Sequence, residues 1–418
     1  MFTFEAIAGQ VGSTTRVEGF VKAIRVQSHM AFVVLESGAS KIQAVCFGEA
    51  KQRAGALGLQ SYAAIEGEVV ASTQAPGGIE IQATKVELIS PAMQWPISEA
   101  SELGKKLEWP VARFRERKEA LIQIVQSQLE FHMMAHLQSQ GFTAIHTPKL
   151  MGAPSESGSE VFEVKYFGEK AYLAQSPQFY KVMAILAGLG KVYESGPVFR
   201  AEPSFSSRHA TEFVSFDVEM EGVKSEYELV TLECHMLREA IAKTLSSMGP
   251  ELIASYPRAT VPGPEKVLTF EQAQAILGIA GEEALSAEQE RLLGAHMEEQ
   301  GFELLALTQV PWKQRPFYHM KHEVDGKILT KSFELLYRGV EITTGAVREH
   351  RHSVMMQQMA EKGLTGLGME FFLESFKLGA PHHGGFGLGL ARLCMLFLGL
   401  PGIKEATFVH RGPGRLSP

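Results

Sequence analysis

The chain of 418 residues contains three cysteines, Cys46, Cys234 and Cys394, far apart and without any CxxC pair. An odd number at such spacing predicts neither a disulfide framework nor a zinc cluster, which leaves core packing as their use. Long hydrophobic runs are missing as well. The stretch from about Leu393 to Leu400 is far too short to cross a bilayer. Met1 is not followed by a basic segment and an apolar run, so no secretory leader is expected and the cytoplasm is the expected compartment. Basic charge is not in excess: the formal net charge is -7, so any contact with nucleic acid has to come from local basic patches. Repeats and low-complexity tracts are absent. What the chain does have is 45% hydrophobic content and a length suited to two or three domains around sizeable cores.

Residues 1–90 hold five short β-rich runs separated by Gly-containing turns, among them VEGFVKAIRV, MAFVVLES and KIQAVCFG, and predict a small barrel of the OB type. A Pro- and charge-bearing stretch over 91–112 reads as a hinge. From 113 to 418 strands alternate with helices without regular βαβ spacing, so an α+β domain with an antiparallel sheet flanked by helices is expected. Residues 247–301 are helix-rich with acidic runs such as GEEALSAEQE, the composition of a peripheral insertion.

Two arginine-bearing segments carry most of the chemistry. In GPVFRAEPSFSSRHATEF, Arg200 and Glu202 are two apart and share a face if the strand is extended, a cation for a phosphate beside a carboxylate for an amine. Arg208 and His209 follow the polar stretch PSFSS, a loop between strands, and Phe213 on the return strand is placed to lie flat on a base. In GGFGLGLARL the glycines permit close backbone approach at a strand-to-helix junction, with Arg392 in the first helical turn facing an anion. A solvated ion pair and a Gly-rich packing device are the plain alternatives for the two segments taken singly.

Taken together, the FRAE and SRH segment, GLGLARL and GFTAIHTPKL (Gly141 to Leu150) resemble the second, third and first motifs of the class II aminoacyl-tRNA synthetases, the first being a dimer-forming motif. QSPQFYK (Gln175 to Lys181), RPFYHM (Arg315 to Met320), SFELLYRGVEITTGAVREHR (Ser332 to Arg351) and APHHGGFGLGLARL (Ala380 to Leu393) are most similar to aspartyl-tRNA synthetases of the archaeal and eukaryotic type. The resemblance spans nearly the whole chain. It implies ATP-dependent formation of aspartyl-adenylate and transfer of aspartate to tRNA(Asp), with tRNA(Asn) a further acceptor, in a homodimer using Mg²⁺. Gln178, Lys181, Arg200, Thr344 and Arg348 are implied as aspartate ligands, with Arg348 gripping the β-carboxylate and Glu156 meeting the α-ammonium group from a closing loop. Arg200, Glu202, Arg208, His209, Phe213, Glu341, Gly389 and Arg392 are implied around ATP, with Arg200 and Arg392 catalytic. Glu334, Glu341 and Thr344 are implied as Mg²⁺ ligands, Glu334 standing where an aspartate is usual. In the barrel, Arg25, Phe32 and Gln43 match positions that read the anticodon, a buried barrel phenylalanine being the alternative for Phe32. Ser157 replaces a glycine, Ala391 an acidic residue, and Glu36 an arginine. Glu36 puts negative charge near expected RNA and motivates a second reading, an adenylate-forming paralogue with a different acceptor or a resistance role.

Overall fold

The computed structural model describes residues 2–154, 160–203, 206–281 and 284–418. The chain divides into two compact units, Met1–Arg117 and Lys118–Pro418. The first therefore runs beyond the barrel, through two short helices, Leu103–Glu108 and Pro110–Arg113, that occupy part of the stretch read as a hinge.

Five strands close the barrel of the first unit: β1 (Thr14–Val26), β2 (Ala31–Ser37), β3 (Ser40–Cys46), β4 (Tyr62–Ala71) and β5 (Ile79–Ser90), in the order β1-β2-β3-β5-β4. Alternation decides which side chains enter. Along β2, Ala31, Val33 and Leu35 are buried in the barrel with Val17, Val21, Ile42, Ile65 and Ile81, while Phe32 and Val34 between them face outward.

The second unit adds β6 (Thr143–Ala144), β7 (Leu150–Met151), β8 (Glu163–Tyr166), β9 (Glu169–Leu173), β10 (Lys191–Phe199), β11 (Glu212–Glu221), β12 (Lys266–Thr269), β13 (Leu304–Thr308), β14 (Lys321–Val324), β15 (Lys327–Thr330), β16 (Ser332–Tyr337), β17 (Val340–Val347) and β18 (His383–Gly389). Eight of them form one sheet in the order β12-β13-β16-β17-β18-β11-β10-β6. Its six inner strands are antiparallel throughout, while β6 and β12 pair in parallel at the two edges, where the expectation was antiparallel.

One face of this sheet is closed by the helices Arg117–Ser139, Glu226–Met248 and Leu390–Leu398. The middle helix starts at a capping box, Ser225 with Glu228, and buries Leu229, Val230, Cys234, Leu237, Ala240 and Ile241 at helical spacing. Cys234 and Cys394 lie in this core and Cys46 in the barrel core, all as free thiols. The segment 247–301 is not wholly peripheral. It supplies edge strand β12, and its helices Phe270–Leu277 and Ala287–Glu299 pack on β12, β13 and β16.

Candidate active site

The open face of the sheet carries a cavity of about 370 Å³. Six cationic side chains line it, Lys181, Arg200, Arg208, Arg315, Arg348 and Arg392, against three carboxylates, Glu202, Asp217 and Glu341. Five lining side chains, Gln178 (Nε2), Gln314 (Nε2), Arg315 (Nε), His319 (Nδ1) and Arg392 (Nε), each hold a buried nitrogen without a hydrogen-bond partner among the described residues. An unpaired buried donor costs about 1–3 kcal/mol, and an oxygen-rich anion supplies the acceptors that such donors lack.

Strand β11 supplies one wall. Ser215, Asp217 and Glu219 alternate with core residues Phe216 and Val218, so the three polar side chains share the open face. Lys181, near the start of the Gln178–Leu186 helix, is 2% exposed. Its Nζ donates to Asp217 Oδ1 (2.9 Å) and to the carbonyls of Phe386 (3.0 Å) and Val218 (3.3 Å), with Glu219 Oε2 at 3.4 Å. Arg348, just beyond β17, donates to both oxygens of Glu219, from Nε (3.1 Å) and Nη2 (3.3 Å), to the Gly385 carbonyl (3.0 Å) and to His319 Nε2 (2.9 Å). Burial pushes the Glu219 carboxyl up, but Arg348 and Lys181 overcome this and hold it below the usual carboxylate range. Burial, then Arg348, keeps His319 neutral, its pKa well below the usual value. Since Nε2 accepts from arginine, the proton sits on Nδ1. Gly385 has to be glycine, because a Cβ there would lie 2.0 Å from the Val218 carbonyl oxygen.

The β10–β11 hairpin forms the second wall. The strand ends at Phe199, so Arg200 and Glu202 lie just beyond it rather than on it, their charges 3.9 Å apart. Arg200 is 5.6 Å from the Phe213 ring centroid, so cation and aromatic face form one platform. Arg208 pairs with Glu290 of the Ala287–Glu299 helix. His209 lies 2.5 Å from Ser206 Oγ, and burial together with Arg392, Arg208 and Arg200 pushes its pKa down to about 4. Gly389 closes β18 and begins the Leu390–Leu398 helix, whose Arg392 donates to the carbonyls of Glu341 (2.7 Å) and Arg208 (3.1 Å).

A bulge in β17 sets the third wall. Register shifts between Leu335 and Leu336 of β16, leaving Ile342 unpaired, so Ile342 and Thr343 both face the core side while Glu341 and Thr344 reach the open face. Thr344 Oγ1 donates to Glu341 Oε1 (2.6 Å). Glu334 lies opposite Thr344, bonded to Arg315 at 2.5 Å and outside the cavity lining. Burial raises the Glu334 pKa, Arg315 lowers it, and Glu341 raises it again. Neighbouring carboxylates beside a hydroxyl are hard oxygen donors of the kind that suit Mg²⁺. No described group of three or more His, Cys, Asp or Glu side chains forms a metal cage by itself.

Gln178, Lys181, Arg200, Glu202, Arg208, His209, Phe213, Glu341, Thr344, Arg348, Gly389 and Arg392 thus line one cavity. Glu156 lies outside the described residues. Asp217, Glu219, Arg315, His319 and Glu290 were not anticipated. The alternation in SFDVEM was a readable signal for the first two, whereas nothing local marks Glu290.

On the barrel, Arg25 pairs with Phe32 across β1 and β2, and Gln43 lies on the same outer face of β3, opposite Val34. Phe32 is half-buried rather than enclosed. Gln43 Nε2 donates to Glu80 (2.8 Å). Glu36 is buried between Lys22 (3.2 Å) and Lys41 (3.4 Å), so its negative charge is met inside the protein.

Residues 15–89 match the OB-fold nucleic acid binding domain and residues 104–410 the tRNA synthetases class II (D, K and N). The aspartate–tRNA(Asp/Asn) ligases of Aeropyrum pernix and Thermus thermophilus are each 37% identical to this chain, covering 98% and 99% of it and 96% and 98% of their own lengths. The aspartate–tRNA(Asp) ligase of Pyrococcus abyssi is 37% identical over 87% of this chain and 85% of its own. The solved asparaginyl-tRNA synthetase from Pyrococcus horikoshii, complexed with asparaginyl-adenylate, superposes with a TM-score of 0.90 at 26% identity, covering 100% of this chain and 99% of that one. The aspartyl-tRNA synthetase from Entamoeba histolytica superposes at 0.87 with 28% identity, covering 100% and 92%. With its barrel, its eight-stranded sheet and a match over most of its length, this chain belongs to the class II tRNA synthetases of the D, K and N group.

Proposed function

We propose that this chain is an aspartate–tRNA ligase that activates L-aspartate with ATP and charges both tRNA(Asp) and tRNA(Asn). The observation that carries the reading is the cavity in which six cations and five unpaired buried donors converge, in a chain whose relatives bear that name. The first relatives matched, over 97–100% of this chain, are named for both acceptors.

In this reading Arg348 and Lys181 frame the side-chain carboxylate of aspartate, with Gln178 beside them, and Asp217 takes the α-ammonium group. Phe213 stacks on the adenine and Arg200 meets the α-phosphate. Arg208, Arg392 and a neutral His209 hold the terminal phosphates. The α-carboxylate of aspartate attacks the α-phosphorus, pyrophosphate departs, and a terminal hydroxyl of tRNA then attacks the aspartyl carbonyl and releases AMP. Positioning and charge complementarity lower both barriers, and no side chain serves as covalent nucleophile. Mg²⁺, held by Glu341 and Thr344 with Glu334 behind, would supply charge neutralisation between phosphate oxygens. Arg25, Phe32 and Gln43 would stack on and hydrogen-bond anticodon bases. Edge strand β6 and the exposed Phe131 on the adjacent helix support pairing with a second copy. The cytoplasm is the compartment this role calls for.

The test is aminoacylation with labelled aspartate, ATP and Mg²⁺, supplying purified aspartate and asparagine tRNAs separately. Both become charged in this reading. Charging of the aspartate tRNA alone removes the wider acceptor range, and charging of neither favours an adenylate-forming paralogue.

A further inference from the structure

Arg208 projects into the cavity, and its Nη1 is ion-paired with Glu290, which stands behind it and outside the lining. The Glu290 side chain is 8% exposed and that of Arg208 22%. Burial pushes the Glu290 carboxyl up and Arg208 pulls it back. A carboxylate so placed is costly unless paired, so each partner holds the other where it is.

The helix carrying Glu290 is itself anchored to the site. A Cβ on Gly294 would lie 2.1 Å from the Cα of Gly339, and one on Gly339 would lie 3.2 Å from the Glu290 carbonyl oxygen. Gly339 stands in the turn that leads into β17, two residues before Glu341. Helix and strand therefore meet backbone to backbone, and Glu290 has a fixed place relative to Glu341 and Thr344. A guanidinium is a rigid planar fork, so fixing Nη1 also aims its other N–H groups.

We infer that Glu290 is a positioning residue for the triphosphate end of the nucleotide, holding Arg208 by Nη1 so that its remaining N–H groups meet phosphate oxygens. This rests on the proposed role of Arg208 at the terminal phosphates. Glu290 lies outside the cavity lining and acts on the nucleotide through Arg208, while its carboxylate also meets the backbone N–H of Glu341.

The experiment measures aspartate-dependent pyrophosphate exchange by the full chain and its Glu290→Ala, Glu290→Gln, Arg208→Ala and doubly substituted variants. With Arg208 unheld, Glu290→Ala raises the KM for ATP by about tenfold, the scale of a charge-assisted hydrogen bond, while the KM for aspartate stays within about twofold. Glu290→Gln keeps an acceptor oxygen for Nη1 and falls between. Adding Glu290→Ala to Arg208→Ala gives no further rise. An unchanged or lowered KM for ATP in Glu290→Ala, or an additive rise in the double variant, overturns the inference. Should Glu290→Ala fail to fold, the isosteric Glu290→Gln decides by the same measure, with a KM for ATP at the unsubstituted value overturning it. Arg208→Ala with unchanged KM for ATP would instead sink the reading of Arg208, and absence of exchange by the unsubstituted chain would sink the proposed activity; either failure takes this inference with it.

Discussion

Arg348 concentrates the logic of the site in one side chain. Its guanidinium spans Glu219, His319 and the Gly385 carbonyl in a space from which water is nearly excluded. Arg348→Leu should abolish aspartate-dependent pyrophosphate exchange. It should also lower the melting temperature, because removing one partner of a buried pair costs about 3–5 kcal/mol. Arg348→Lys separates the two effects: charge remains for Glu219, so the fold should survive, while loss of the fork raises the KM for aspartate by roughly tenfold. Normal exchange in both variants would refute the assignment. His209 illustrates the opposite electrostatics. Crowded by burial and three arginines, it is neutral at physiological pH and offers hydrogen bonding without charge.

At the scale of elements, the Glu226–Met248 helix and β17 are locked by one contact from beneath. Thr343 Oγ1 donates to Glu233 at 2.5 Å inside the core, and burial pushes the Glu233 pKa up to about 8. The folded value lies above the unfolded one, so the stability this group contributes is full below about pH 4.5 and is lost as pH rises through about 8. Glu233→Gln retains an acceptor for Thr343 and cannot ionise. Thermal melting followed from about pH 5 to pH 9 should show the variant gaining on the unsubstituted protein as pH rises, starting near the unfolded pKa. A constant difference across that range would mean that Glu233 is ionised in the fold.

At the scale of the whole molecule, the proposed anticodon-reading face and the proposed catalytic cavity belong to separate compact units. The barrel presents Phe32 between Arg25 and the Gln43–Glu80 pair, and the cavity lies wholly in the second unit. Phe32→Ala should therefore leave pyrophosphate exchange intact and weaken tRNA binding by about 1–3 kcal/mol, the usual worth of one stacked base, seen as a raised KM for tRNA in aminoacylation. Equal losses in both assays would show that the substitution damages the protein generally.

The barrel was legible in the sequence because alternation is a local property: Val33 and Leu35 go in, Phe32 and Val34 go out, whatever the rest of the chain does. The arginine and glycine segments were legible for a similar reason, since hairpin and strand-to-helix geometry are set by residues within a few positions. The edges of the main sheet were not, because parallel pairing of β6 and β12 depends on partners distant in sequence. Glu341 and Thr344, three apart on a strand, should face opposite ways, and only the bulge at Ile342 brings them together. Lys181 read as a ligand-facing cation, and tertiary packing surrounded it with Asp217 and two carbonyls. Glu290 sits in an acidic, helix-rich stretch with every local mark of a solvated surface. It reaches Arg208 from behind because two glycines let a helix rest directly on a strand turn, a contact between positions 294 and 339 that no local pattern could announce.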